Sequence, residues 1–195
     1  MTQETGTAAA ALQVLLEGNR RYVAGRPAHP HQAVERRGEV VAGQHPIAII
    51  LGCSDSRVPA EILFDQGIGD LFIVRTAGNV VDDVALGSIE YAAEHLHVPL
   101  LVVLGHQKCG AVAATVSGEV APGHIASIVK AIRPIAHKVK GLPGDVVDNT
   151  VRANVVEIVA QLQSSQPILG HLVQAGRCKI VGAYYSLETG VVSLL

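Results

Sequence analysis

The sequence has no tryptophan, and two phenylalanines and four tyrosines supply all its aromatic rings, so that its core must be built from Ala, Val, Leu and Ile. Charged residues are also few, at 16% against 49% hydrophobic residues, and the formal net charge is −2. A chain without excess positive charge has no electrostatic reason to bind nucleic acid or an anionic membrane. We therefore expect neither of them as a partner.

Three cysteines are too few for a disulfide framework, and no apolar run is long enough to span a membrane. The amino terminus also lacks the basic stretch that opens a secretory signal peptide. These features predict a reducing, cytoplasmic location. Cys178, which opens a predicted strand, is interpreted as an inert core residue.

Two uninterrupted apolar runs each lead into a residue that can bind a metal. Residues 46–52 precede Cys53, and residues 99–105 precede His106. Runs without polar alternation are typical of buried parallel strands. Because open α/β sheets build their sites at the carboxyl ends of such strands, the sequence predicts a site there.

Cys109 adds a third candidate ligand to Cys53 and His106. It follows His106 by three residues, so that the two side chains share a face at the start of a helix. Two thiolates and an imidazole suit Zn²⁺, and three protein ligands leave the fourth position to water or to Asp55, as in catalytic zinc sites. The alternative is that the cysteines are small core residues and the histidine a polar turn residue. The paired spacings of a zinc finger are absent.

Predicted strands and helices alternate along the chain, which favours an α/β fold. The predicted strands cover residues 47–52, 71–75, 100–104, 178–185 and 190–195. The predicted helices cover residues 8–24, 32–42, a short stretch from about 59, 84–97, 109–116, 125–139, 145–163 and 168–175. We expect a mainly parallel four-stranded sheet, with 190–195 as an additional edge strand and with helices on its flanks. Pro134 should kink or interrupt the helix over 125–139.

No linker or repeat divides the sequence, so residues 1–195 are expected to form one domain. Residues 1–45 are predicted to be a helical arm that packs on a partner subunit. The surplus of apolar side chains points the same way, because obligate subunit interfaces resemble a core cut in half.

Five segments, in their order and spacing, resemble the β-class carbonic anhydrases. They are Cys-Ser-Asp-Ser-Arg-Val-Pro-Ala-Glu at 53–61, Phe-Asp-Gln-Gly at 64–67, Gly-Asp-Leu-Phe-Ile-Val-Arg-Thr-Ala-Gly-Asn at 69–79, Gly-Ser-Ile-Glu-Tyr-Ala at 87–92 and Gly-His-x-x-Cys-Gly-Ala at 105–111. The resemblance implies reversible hydration of carbon dioxide to bicarbonate and a proton, through zinc-bound hydroxide. It also implies a homo-oligomer, either a dimer or a dimer of dimers.

The resemblance assigns a gate to Asp55 and Arg57. In the family, the aspartate either pairs with the arginine, which leaves the fourth zinc position to water, or binds the zinc itself and shuts the enzyme off. Arg57 can hold a carboxylate bidentately, which suits the first state. The alternative is an ordinary surface ion pair, which contributes under about 1 kcal/mol.

The resemblance also implies a small apolar pocket for carbon dioxide. Phe72, Ala77 and Tyr91 would line it, and Gln44 would donate a hydrogen bond to substrate or bicarbonate. In this family the glutamine and the aromatic residues reach the site from the neighbouring subunit. Plain core packing is the alternative for Phe72 and Tyr91. Gly78 is expected in a turn that needs a positive φ.

Two other functions remain open. The first is a hydrolase of carbon disulfide or carbonyl sulfide with the same fold, which would keep the same zinc ligands. The second is a catalytically silent, zinc-stabilised structural or binding protein. Asp55 and Arg57 argue against the second, because a structural zinc site needs neither of them.

Overall fold

A five-stranded sheet organises residues 7–195, the part of the chain that this computed structural model describes. Its strands are β1 (Ala48–Cys53), β2 (Leu71–Thr76), β3 (Leu100–His106), β4 (Lys179–Tyr185) and β5 (Val192–Leu194). Their order across the sheet is β2-β1-β3-β4-β5, with β1 to β4 parallel and β5 antiparallel to β4. The predicted fold class, a parallel four-stranded sheet with an edge strand, is confirmed.

Eight α-helices and one short 3₁₀ turn cover the sheet within residues 7–195. The helices are α1 (Ala8–Val23), α2 (Glu35–Glu39), α3 (Ala60–Leu63), α4 (Asp83–Glu94), α5 (Gly110–Ser117), α6 (Ile125–Val139), α7 (Val146–Ser164) and α8 (Leu169–Gln174). The 3₁₀ turn spans Ala77–Asn79, directly after β2. None of these helices is both long and apolar enough to cross a bilayer.

The core lies on both faces of the central strands, which are buried throughout. Alternate residues of β1 face opposite sides, as the period of a strand requires. Ile49 and Leu51 pack with α4, α7 and α8, whereas Ala48 and Ile50 pack with α1 and α3. Aliphatic side chains fill most of both layers, as the scarcity of aromatic residues predicts.

Helix α1 belongs to this core, because its residues Ala11 and Leu15 are buried against the sheet of their own chain. Residues 1–6 of the predicted arm lie outside the described residues. The helix predicted over 32–42 is wrong in length, since α2 spans only Glu35–Glu39. It has no buried residue, so that no tertiary packing extends it.

The predicted interruption at Pro134 is also wrong, because α6 continues through it. Pro134 lies on the exposed face of the helix, and Lys130, whose carbonyl group loses its N–H partner, is exposed as well. The opposite face of α6 buries Val129, Ile132 and Ile135. This packing outweighs the loss of one helical hydrogen bond.

Candidate metal centre

Cys53, His106 and Cys109 converge at the carboxyl edge of the sheet. Cys53 ends β1, His106 ends β3, and Cys109 is the N-cap residue of α5. All three are buried, and one donor atom from each lies within 4.8 Å of the other two. The two sulfur atoms are 4.0 Å apart. The predicted ligands therefore form one cluster.

The imidazole of His106 has the orientation of a metal ligand. Its Nδ1 lies 2.9 Å from the carbonyl oxygen of Gln107, where only an N–H can form a hydrogen bond. In the neutral ring, Nε2 then carries the free lone pair. This buried atom has no hydrogen-bond partner among residues 7–195. Because a buried polar atom without a partner is costly, the donor set fits a soft divalent cation.

The two thiols differ in acidity. A hydrogen bond from the Cys109 thiol lowers the pKa of Cys53 against the effect of burial, and His106 and the Gly78 N–H act in the same direction. The pKa of Cys109 is raised, first by its hydrogen bond with Cys53 and then by burial. One thiolate therefore forms readily, whereas a second needs a cation beside it.

Asp55 pairs with Arg57 beside this cluster. The Arg57 backbone N–H and Nε each donate to Oδ1 at 2.9 Å, and Nη2 donates to Oδ2 at 2.7 Å. This fork lowers the pKa of Asp55 to about 2, so that the carboxylate is charged at neutral pH. Its Oδ2 is 3.9 Å from Nε2 of His106. Asp55 is thus held by the arginine while lying next to the ligands.

Arg75 braces the segment between Cys53 and Asp55, a role that the sequence interpretation did not foresee. Its Nε donates to the carbonyl oxygen of Cys53 at 2.9 Å, and its Nη2 donates to that of Asp55. A lone cation at the end of an otherwise apolar strand was the available signal. Gly78 has the expected positive φ, of 66°, and its N–H donates to the Cys53 sulfur at 3.3 Å.

The predicted pocket residues divide into two groups. Ala77 begins the 3₁₀ turn beside the ligands. Phe72 pairs with Ile49, four residues before Cys53, which is about 13 Å along the strand. Its ring lies 6.5 Å from that of Tyr91, which is 48% exposed. Gln44 is exposed and precedes β1, at the opposite edge of the sheet. Of the four predicted pocket residues, only Ala77 therefore lies beside the cluster within its own chain.

Comparison with known sequences gives the family. The family described as "Carbonic anhydrase" matches residues 48–192. A curated carbonic anhydrase of Mycolicibacterium smegmatis is 49% identical over 95% of this chain and 92% of its own length. Carbonic anhydrase 2 of Mycobacterium tuberculosis is 46% identical over 93% of this chain and 89% of its own length.

Solved structures agree with the sequence comparison. The β-carbonic anhydrase of Coccomyxa, solved in complex with acetazolamide, has a TM-score of 0.74 at 29% identity, over 94% of this chain and 86% of its own. The β-carbonic anhydrase CafA of Aspergillus fumigatus has a TM-score of 0.71 at 27% identity, over 96% and 89% of the two chains. The whole described fold is therefore shared.

Proposed function

This chain belongs to the β-class carbonic anhydrases, and we propose that it catalyses the reversible hydration of carbon dioxide to bicarbonate and a proton with Zn²⁺ as its metal. The observation that carries the proposal is the buried cluster of Cys53, His106 and Cys109, with Nε2 of His106 left free. These residues would hold the ion. When bound, Zn²⁺ supplies a hydroxide nucleophile by lowering the pKa of water from about 15.7 to about 7.

Asp55 and Arg57 would control access to the cluster. The Asp55 carboxylate accepts hydrogen bonds only, so it can orient a proton donor that enters beside His106. The two-point contact with Arg57 keeps the carboxylate from turning onto the ligands. Release of Asp55 from Arg57 would close the site, because the carboxylate would then compete for the fourth position.

A second copy of the chain would complete the pocket. We propose a dimer or a dimer of dimers in which Gln44, Phe72 and Tyr91 serve the partner's site beside its Ala77. Val84 lies seven residues before Tyr91 on α4, so the two share a face, and they are 78% and 48% exposed. An apolar exposed face of this kind marks an interaction surface.

The described part of the predicted arm, residues 7–45, would contact the same partner. Its residues Val34 and Val41 are 69% and 83% exposed, although α1 itself packs on its own chain. We also propose a cytoplasmic location, where thiols stay reduced, because all three cysteines are free.

Metal analysis together with stopped-flow hydration of carbon dioxide tests the function. We expect about one zinc per chain and hydration activity in the purified protein, and loss of both in Cys109→Ser. Cys178→Ser is the matched control, because it alters another buried cysteine that packs in the core with α8. Full zinc content and a native rate in Cys109→Ser would refute the ligand set.

The same assays separate the alternatives. Zinc with hydrolysis of carbon disulfide or carbonyl sulfide, but no hydration of carbon dioxide, would indicate the related hydrolase. Zinc without either activity would indicate a structural protein. Neither is favoured, because the curated relatives at 46% and 49% identity are carbonic anhydrases.

A further inference from the structure

Asn79 connects the two strands that carry the ligands, immediately before they end. Its Nδ2 donates to the carbonyl oxygen of Leu51 at 3.1 Å and to that of Leu104 at 2.8 Å. Leu51 lies two residues before Cys53, and Leu104 lies two residues before His106. A single amide group therefore joins β1 and β3 at the edge where the metal cluster forms.

The ladder between β1 and β3 ends just before the two ligands. The register of β1 with β3 ends at Gly52 and Leu104, so that Cys53 and His106 lie beyond the last paired residues. On their outer sides the strand ends stay paired, Cys53 with Thr76 of β2 and His106 with Tyr185 of β4, so the separation between the two ligands also depends on groups that join β1 to β3 directly. The Asn79 amide does so at the end of the ladder, through the carbonyl groups of Leu51 and Leu104.

Asn79 is itself fixed in position. It is 3% exposed and has a φ of 59°, in the left-handed region that asparagine tolerates better than most residues. The preceding residue, Gly78, accepts a hydrogen bond from Asn154 of α7 at 2.9 Å and donates to the sulfur of Cys53. The turn also packs closely against α6, since a Cβ built on Gly78 would lie 2.6 Å from Cδ1 of Ile132.

We propose that Asn79 is a positioning residue for the metal centre, whose amide sets the separation of Cys53 and His106 before any ion binds. This inference rests on the proposed metal site and adds to it a residue that touches no ligand side chain. Groups that orient metal ligands typically contribute 10- to 100-fold in metal affinity. Without the amide, the two strand ends would have to become ordered when the metal ion binds, and the metal affinity would fall.

Asn19 provides a matched control. It too is a buried asparagine whose Nδ2 joins two carbonyl oxygens, those of Leu63 and Gly190, at 3.1 and 2.9 Å. Neither of these carbonyl groups adjoins a ligand in sequence. Loss of the Asn19 amide should therefore lower the thermal stability without affecting the metal cluster.

Asn79→Gly is the direct test, because glycine accepts the positive φ while the side chain and its amide are removed. Dissociation constants for Zn²⁺ and Co²⁺ would be measured by competition with a chelator, together with the cobalt absorption spectrum. We expect affinity about 10- to 100-fold weaker in Asn79→Gly and altered cobalt bands. Asn19→Ala should keep the wild-type spectrum and an affinity within about twofold.

The outcomes separate the inference from the proposed function. A wild-type chain that binds neither ion would overturn the metal site and the inference with it. Tight wild-type binding, with equal affinities and spectra in the Asn79 and Asn19 variants, would overturn the inference alone. If Asn79→Gly does not fold, Asn154→Ala loosens the same turn and should weaken affinity in the same direction. Wild-type affinity and an unchanged spectrum in that variant would then overturn it.

Discussion

At the scale of single residues, the division between what the sequence predicts and what it hides follows from the type of atom involved. Cys53, His106 and Cys109 are candidate ligands through their side chains. Two thiols and an imidazole at this spacing seldom serve any purpose other than metal binding, so the sequence indicated the cluster. Arg75 and Asn79 act on backbone carbonyl groups, as the structure shows. Any residue supplies a carbonyl group, so no sequence pattern marks the target of such a bond.

Arg57→Ala tests the gate. We expect the hydration rate to fall on the order of 100-fold while zinc stays bound, because the change frees Asp55 but leaves all three ligands. Arg57→Lys should restore little, since an ammonium group cannot form the two-point contact. Stopped-flow kinetics and metal analysis measure the two quantities. Arg20→Ala removes another exposed arginine paired with an acid and is the control. A normal rate in Arg57→Ala would contradict the gate.

The charge of Asp55 is expected to stay constant over the working pH range. Its pKa of about 2 lies below the ordinary value, chiefly because of Arg57. A lowered carboxyl pKa stabilises the fold above the unfolded value near 3.9, and this contribution is lost as pH falls through the folded value. A ¹³C titration of the metal-free protein should place the Asp55 inflection well below the ordinary value near 3.9, toward about 2. An inflection at or above that ordinary value would show that the ion pair is weak.

At the scale of elements, the sequence located most helices and strands because their apolar patterns coincide with buried faces. It failed where another factor decided the outcome. Helix α2 has no buried face, so its propensity alone could not set its length. Helix α6 keeps a proline because its buried residues lie on the opposite side. In both cases tertiary packing, which a local pattern does not contain, decided the outcome: α2 stays short without it, and α6 continues through its proline because of it.

Asp65, which follows α3, binds both α1 and the loop after it, and should therefore be important for the stability of the fold. Its carboxylate accepts hydrogen bonds from the backbone N–H groups of Ala28 and His29 and from Arg21 of α1. Burial alone would raise the pKa of Asp65, but these three donors lower it overall. Asp65→Asn should lower the free energy of unfolding by about 1–3 kcal/mol. The NH2 group of the new amide would face N–H donors and could not accept their hydrogen bonds.

The pH dependence of the stability lost in Asp65→Asn identifies the cause of that loss. A lowered pKa means that the Asp65 contribution is complete above the unfolded value near 3.9 and disappears as pH falls through the folded value. The difference between wild type and Asp65→Asn in urea unfolding should therefore shrink below about pH 4. The control is Asp83→Asn, at an exposed position, which should lower the free energy of unfolding by under about 0.5 kcal/mol. A constant difference at acid pH would show that the carboxylate charge is not the cause.

At the scale of the whole molecule, one chain brings together the candidate metal ligands but leaves part of the predicted pocket elsewhere. Gln44 lies at the opposite edge of the sheet from Cys53, and the partly buried Phe72 pairs with the exposed Tyr91 away from the cluster. No pattern in a sequence distinguishes a residue that serves its own site from one that serves a partner's site. The proposal of a shared site therefore depends on the position of these residues in the folded chain.

Mixing two inactive variants tests the shared site directly. Cys109→Ser removes a metal ligand, and Gln44→Ala removes a group proposed to act in the partner's site, so each should be inactive alone. In a mixed dimer, the Gln44→Ala subunit keeps its ligands and receives Gln44 from its partner, which gives one complete site. Random reassembly makes half of the dimers mixed, so we expect about one quarter of wild-type activity after co-refolding. If Gln44 acts within its own chain, no mixed dimer contains a complete site. Activity that stays at background in the mixture, with mixed dimers verified by mass spectrometry, would therefore exclude the shared arrangement.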